Sequence, residues 1–162
     1  MKKIILLLIA VLTTYGFVSC EEDNCPLSTL SLARFNFLDS NTHKPVTLSQ
    51  GATVTGIAEI ADTLNIDTVF NSAQNYMSVP LSYTSETTYV LHYTERMRDT
   101  IKLTHKNIPF VSDIECGAIM FYEVQNLSYT TNALDSITLV NPRITNEETI
   151  NFNIFYRTSD DE

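Results

Sequence analysis

The sequence predicts an all-β chain, either an antiparallel sandwich or an open barrel, built from about eight short strands. Three observations carry that expectation. Helical periodicity is nearly absent, whereas alternating, β-branched and aromatic runs recur along the chain. Clusters of Asn, Asp, Ser and Pro bound those runs. Glycines number only 4 in 162 residues, so turns that need positive φ must lean on Asn and Asp.

Taken in order, the alternation places strands at 30–37, 53–60, 76–83, 87–93, 99–105, 118–127, 136–140 and 149–157. The stretch 62–75 reads equally as a strand or a long loop. The fourth and fifth strands form a hairpin. A five-residue loop, 94–98, sets Leu91 opposite Ile101 and Tyr89 opposite Leu103 on one apolar face. Val90, His92, Thr100, Lys102 and Thr104 then share the other face, and a slip of one residue would scramble the split. Gly117 follows Cys116 directly and suits a bulge or bend before the next strand.

The amino terminus has its own pattern. A basic Met1-Lys2-Lys3 precedes an apolar run from Ile4 to Leu12, and the small Ser19 stands just before Cys20. That is the layout of a secretory signal peptide over residues 1–19. The apolar stretch is shorter than the roughly twenty residues a membrane-crossing helix needs. Phe17-Val18-Ser19-Cys20 resembles a lipobox, which implies lipidation of Cys20, with Phe17 departing from the usual Leu. A diacylglycerol-plus-acyl (palmitate-type) anchor there would hold the chain to a membrane permanently. Plain secretion is the alternative. Residues 20–24 become an acidic tether, and 25–162 form one domain.

Three cysteines sort themselves within that frame. With Cys20 carrying lipid, Cys25 and Cys116 remain as an even pair in an oxidising compartment, bonded or left as two thiols. No CxxC spacing suggests zinc. The whole chain carries 10 basic and 19 acidic residues. Loss of Lys2 and Lys3 leaves 8 against 19, a net −11. Such acidity disfavours nucleic acid and mainly serves solubility.

Four short motifs carry a family resemblance: Cys25-Pro26-Leu27 after the lipidated Cys, Asp99-Thr100-Ile101, Glu115-Cys116-Gly117 before an apolar strand, and Asn141-Pro142. Together they resemble an uncharacterised family of small Bacteroidetes lipoproteins, a domain of unknown function, across the whole mature chain. The resemblance implies an immunoglobulin-like β-sandwich of seven to eight strands in the cell envelope, anchored in the outer membrane, and implies no activity. Acidic residues just after the lipidated Cys, here Glu21-Glu22-Asp23, resemble a signal for export to the cell surface, with periplasmic retention the alternative.

Catalytic and cofactor-binding constellations do not emerge. A GxSxG elbow is missing, and His43, His92 and His105 are scattered, which reads as ordinary surface histidine, with His92 pointing away from the core. Asp39-Ser40-Asn41 begins like a calcium loop, but Lys44 stands where the sharp turn requires Gly. Asp113 with Glu115, and Asp62 with Asn65 and Asp67, are loose oxygen clusters. A sugar platform would have to use Tyr76, Tyr83, Tyr122, Tyr129 or Tyr156, since the chain has no Trp. One motif recurs: Asp, a hydroxyl residue, then an apolar residue, centred on Thr63, Thr68, Thr100 and Ser136. It resembles an O-glycosylation acceptor of exported Bacteroidetes proteins, and it is equally how a strand begins after a turn.

The expectation is therefore a non-enzymatic envelope lipoprotein, with no cofactor and no metal, held to the membrane through Cys20 and binding another envelope protein. A glycan- or calcium-binding module is the second reading, and an enzyme of unfamiliar type the third.

Overall fold

The computed structural model describes residue 25 and residues 30–48, 52–57, 68–69, 74–111 and 116–157. Residues 1–24 lie outside them, as do Thr63 and the 62–67 and 113–115 acidic clusters.

The described residues form ten strands: β1 (Leu32–Asp39), β2 (Thr53–Ile57), β3 (Thr68–Val69), β4 (Tyr76–Pro80), β5 (Glu86–His92), β6 (Arg98–Val111), β7 (Ala118–Tyr129), β8 (Leu134–Leu139), β9 (Arg143–Ile144) and β10 (Phe152–Tyr156). They make two sheets, ordered β4-β1-β10-β8 and β3-β2-β5-β6-β7-β9. The result is a β-sandwich whose pairings are antiparallel except for one. β1 and β10, the first and last strands, run parallel in the middle of the smaller sheet, with Phe35 opposite Phe152.

Period-two alternation buries one face of β1, β5 and the first half of β6. β1 buries Ala33, Phe35 and Phe37, β5 buries Tyr89 and Leu91, and β6 buries Ile101 and Leu103. Phe35 joins the two layers. It stacks on Phe152 in its own sheet at 4.4 Å and meets the edge of Tyr89, from the other sheet, at 5.9 Å. The Tyr89 hydroxyl donates to the Pro80 carbonyl at 2.9 Å, so even this buried polar tip is satisfied.

Two bulges explain strands that plain alternation reads short. Between β6 and β7 the register shifts after Thr104, which leaves Gln125 unpaired. Val124 and Leu127, three apart in sequence, can then both turn inward. Between β8 and β10 the shift leaves Asp135 unpaired, and Leu134 and Ile137 both face the core.

The β5–β6 hairpin corrects one expectation. Tyr89 lies opposite Ile101 and Leu91 opposite Asp99, two residues from the expected register. The turn is shorter because Thr94 closes it: its Oγ1 accepts from the backbone of Arg96 and Met97, and the Tyr93 N–H bonds the Met97 carbonyl at 2.9 Å. A two-residue shift leaves every side chain on its original face, so the apolar split survives. The uncertain 62–75 stretch supplies at least β3, and β6 runs six residues beyond the expected end.

Candidate functional site

Three places in the sandwich gather chemistry-bearing side chains. They are a carboxylate at one end, a histidine network near the other, and the disulfide with its apolar surroundings.

Asp99 enters β6 opposite Leu91, and its side chain is fully buried. Its Oδ1 accepts from the Thr130 hydroxyl at 2.8 Å and the Asn132 N–H at 2.7 Å. Its Oδ2 accepts from the N–H groups of Ala133 at 2.8 Å and Leu134 at 3.0 Å. Burial pushes the carboxyl pKa up, but the three backbone donors and the hydroxyl outweigh it and hold the group below its ordinary 3.8. Asp99 is thus a clamp on the 130–134 loop. The same end holds Tyr93 and Tyr156, hydroxyl to hydroxyl at 3.2 Å, both raised in pKa chiefly by burial.

The clamp also locates the repeated Asp-hydroxyl-apolar motif. Thr68, Thr100 and Ser136 all lie in the opening residues of strands, namely β3, β6 and β8. Thr100 and Ser136 are half-buried, and Asp135 pairs with Arg157 at 2.9 Å.

His105 overturns the expectation of surface histidines. It is 1% exposed, because the alternation that buries Ile101 and Leu103 continues to it along β6. Ser82 N donates to Thr87 Oγ1 at 2.9 Å, which leaves the threonine proton for His105 Nε2 at 2.8 Å. Asn107 Nδ2 donates to the carbonyls of Tyr83 and Thr84, so its Oδ1 accepts from His105 Nδ1 at 2.8 Å. This network assigns a neutral ring with its proton on Nδ1. Burial lowers its pKa below 6.5, more than the Asn107 bond and the Glu86 charge raise it. Its neighbours are a threonine, an asparagine and the edge of Tyr122 at 5.1 Å, which makes it a structural tie rather than an acid–base pair. The other histidines stay outside the core. His43 has φ 56° in the turn after β1, and His92 is half-buried.

Asp39 behaves as a turn cap. Its Oδ1 accepts from the Asn41 and Thr42 N–H groups and the Thr42 hydroxyl, and its own N–H bonds the Lys44 carbonyl at 2.8 Å. Among the described residues, no three His, Cys, Asp or Glu side chains converge as metal ligands would. Of the candidate tyrosines, only Tyr83 and Tyr122 come together, on the walls of one cleft. Tyr122 and Tyr156 are buried, Tyr76 is on the smaller sheet, Tyr129 on the larger, and Tyr83 on the loop before β5.

Cys25 and Cys116 are bonded, with Cα atoms 5.2 Å apart and a sequence separation of 91. Gly117 follows at φ 74°, a left-handed conformation that turns the chain into β7. Near this end lies a cleft of about 220 Å³ whose walls include Leu30, Tyr83, Met120 and Tyr122. Burial, with a contribution from Tyr83, pushes the Tyr122 hydroxyl up to about 12. Ser31 also lines the cleft, and its buried hydroxyl makes no hydrogen bond. Sequence reasoning missed this cleft, since its walls come from the residues just before β1, the end of β4 with the loop after it, and β7.

Comparison with known proteins places residues 51–156 in a family of unknown function, DUF6452. No curated protein and no solved structure matches the chain.

Proposed function

We propose, for a chain that belongs to the DUF6452 family of unknown function, the role of a lipid-anchored envelope module that binds another envelope protein and performs no catalysis. In this reading residues 1–19 are a removed leader and Cys20 carries the lipid. The observation that carries the reading is the Cys25–Cys116 bond, which ties the chain into the fold only five positions after Cys20. Five extended steps reach roughly 17 Å, so the sandwich sits close against the bilayer that holds its anchor.

The partner surface in this reading is the opposite end. There Asp99 locks the 130–134 loop beside the β5–β6 turn, and Asn132 Nδ2 donates to the Arg98 carbonyl at 2.9 Å. The exposed Met97 stands on the braced turn, and the exposed Tyr129 ends β7 just before the braced loop. Rigid loops that carry exposed apolar side chains are how small β-domains commonly present a binding surface. Outer-membrane attachment and display at the cell surface belong to the same proposal, supported by the acidic Glu21-Glu22-Asp23 beside the anchor.

The test has two arms. Cys20→Ser should release the protein from the membrane fraction after a carbonate wash, and retention there would remove the anchor. Cross-linking in intact cells should join wild-type protein to a defined envelope protein, and Met97→Ala with Tyr129→Ala should lose that adduct. An adduct unchanged in the double variant would remove the far end as the partner surface.

A further inference from the structure

We propose that the disulfide end of the sandwich is a lipid-facing surface on which Leu30, Tyr83, Phe110 and Val111 enter the headgroup region of the bilayer that holds the Cys20 anchor. The inference rests on the anchored reading above and adds to it the surface that meets the membrane.

The four side chains come from three segments, since Phe110 and Val111 are neighbours at the end of β6 and project from opposite faces of the β6–β7 ribbon, whose end presents both faces. Leu30 and Tyr83 line one cleft with Met120. Met120 pairs with Pro109 in the β6–β7 ribbon, Phe110 stacks on Phe121 at 4.8 Å, and Val111 pairs with Ala118. Ala118 lies two residues beyond Cys116, which is bonded to Cys25. All four are markedly exposed, at 63% for Leu30, 69% for Tyr83, 42% for Phe110 and 57% for Val111.

Charge sharpens the picture. The segments 80–85, 107–111 and 117–122 contain no Asp, Glu, Lys or Arg, in a chain with 19 acidic residues. The ribbon tip 112–115, which carries Asp113 and Glu115, lies outside the described residues. Charge rims the surface on the Leu30 side, where Leu30 also borders a cleft with Arg34, Glu147 and Glu148. An apolar and aromatic surface with a charged rim suits the interfacial region of a bilayer, where Tyr keeps its ring in the acyl boundary and its hydroxyl in water. Tyr83 is also held in place. Asn107 Nδ2 binds its carbonyl, and Ser82 Oγ meets Thr84 Oγ1 at 2.9 Å in the same turn.

What commits the surface to lipid, over a second copy or another protein, is the length of chain between anchor and fold. Only Glu21 to Asn24 separate Cys20 from Cys25, so the end that bears the disulfide is the end the tether pulls against the membrane. Burying apolar side chains there adds to the hold of the lipid.

The chain has no Trp, so a single introduced one reports its surroundings without background. The lipidated protein, purified as Tyr83→Trp, Phe110→Trp or Tyr129→Trp, is incorporated into phosphatidylcholine vesicles with brominated acyl chains. Trp at 83 and at 110 should shift to the blue and lose most of their emission to bromine, while Trp at 129, at the far end, should do neither. If the protein floats with the vesicles and all three positions stay unquenched, the lipid-facing surface is wrong and the anchor stands. A blue shift at 83 that grows with protein concentration and shows no bromine quenching means a second copy covers the surface, which also overturns the inference. Protein that fails to float overturns the anchored reading and this one with it.

Discussion

The carboxylate of Asp99 accepts the N–H of Leu134 at 3.0 Å across 35 positions of sequence, and through that bond the start of β8 is held against β6. The two strands belong to different sheets, so this contact closes one end of the sandwich. Four donors converge on the group: the Thr130 hydroxyl and the N–H groups of Asn132, Ala133 and Leu134.

Asp99→Ala should therefore cost about 2–4 kcal/mol, since it strands several donors at once. Asp99→Asn should also destabilise, because an amide nitrogen would face backbone N–H groups. The folded-state pKa lies below the ordinary 3.8, so the carboxylate's contribution is fully present above that value and is lost as pH falls through the lowered folded value. Urea titrations below pH 5 should show wild-type stability falling with acid and the Asn variant falling less. Parallel pH slopes would mean the carboxylate is not the clamp.

His105 contributes in the same direction at higher pH. Burial holds its folded pKa below 6.5, so the stability that depends on a neutral ring is complete above 6.5 and declines as pH falls below it. Thr87→Val removes the donor to Nε2 and the acceptor for Ser82 N, which should cost about 1–3 kcal/mol. Nitrogen chemical shifts of the ring at neutral pH should report the Nδ1–H tautomer. The Nε2–H form would reverse the assigned network.

Breaking the disulfide should be the largest single loss. A loop of about ninety residues is worth roughly 4–5 kcal/mol in the chain-entropy view, so Cys116→Ala should lower Tm by many degrees. Thiol labelling of denatured, unreduced mature protein should find neither Cys25 nor Cys116 reactive. Stoichiometric labelling of both would contradict the bond.

Gly117 tests backbone strain alone, because a Cβ added there would meet nothing within 4 Å. Gly117→Ala should cost about 1 kcal/mol through the left-handed φ of 74°, and Gly117→Asn less, since Asn tolerates that region. Equal stability of the Ala variant would show that the turn relaxes.

Ser31→Ala removes a buried hydroxyl with no hydrogen-bond partner. The variant should be neutral or more stable, by up to about 1 kcal/mol, in thermal melts. A clear loss would mean that the hydroxyl has a bound partner in the cleft.

The residues that the sequence alone determined are those whose environment repeats locally. Alternation along 32–39, 86–92 and 98–105 sets which side chains face inward, and an all-β sandwich or barrel follows from strands with one apolar face each, of which the structure shows the sandwich. The pairing of Cys25 with Cys116 was legible because the lipobox-like segment leaves an even number behind. Tertiary structure decided what alternation cannot express. A period of two is unchanged by a shift of two, so the hairpin register waited for Thr94 to close the turn and for Asp99 to find its donors. The bulges at Gln125 and Asp135 break the period itself, which is why Val124 with Leu127, and Leu134 with Ile137, face inward three apart. His105 keeps the period of Ile101 and Leu103, so its burial was legible in the alternation and only its polar residue type suggested the surface. Pairing β1 with β10 brings together residues more than a hundred positions apart, and Leu30 meets Tyr83 and Met120 around one cleft from distant parts of the chain. No local pattern encodes such meetings, because they depend on which apolar faces the whole chain must bury at once.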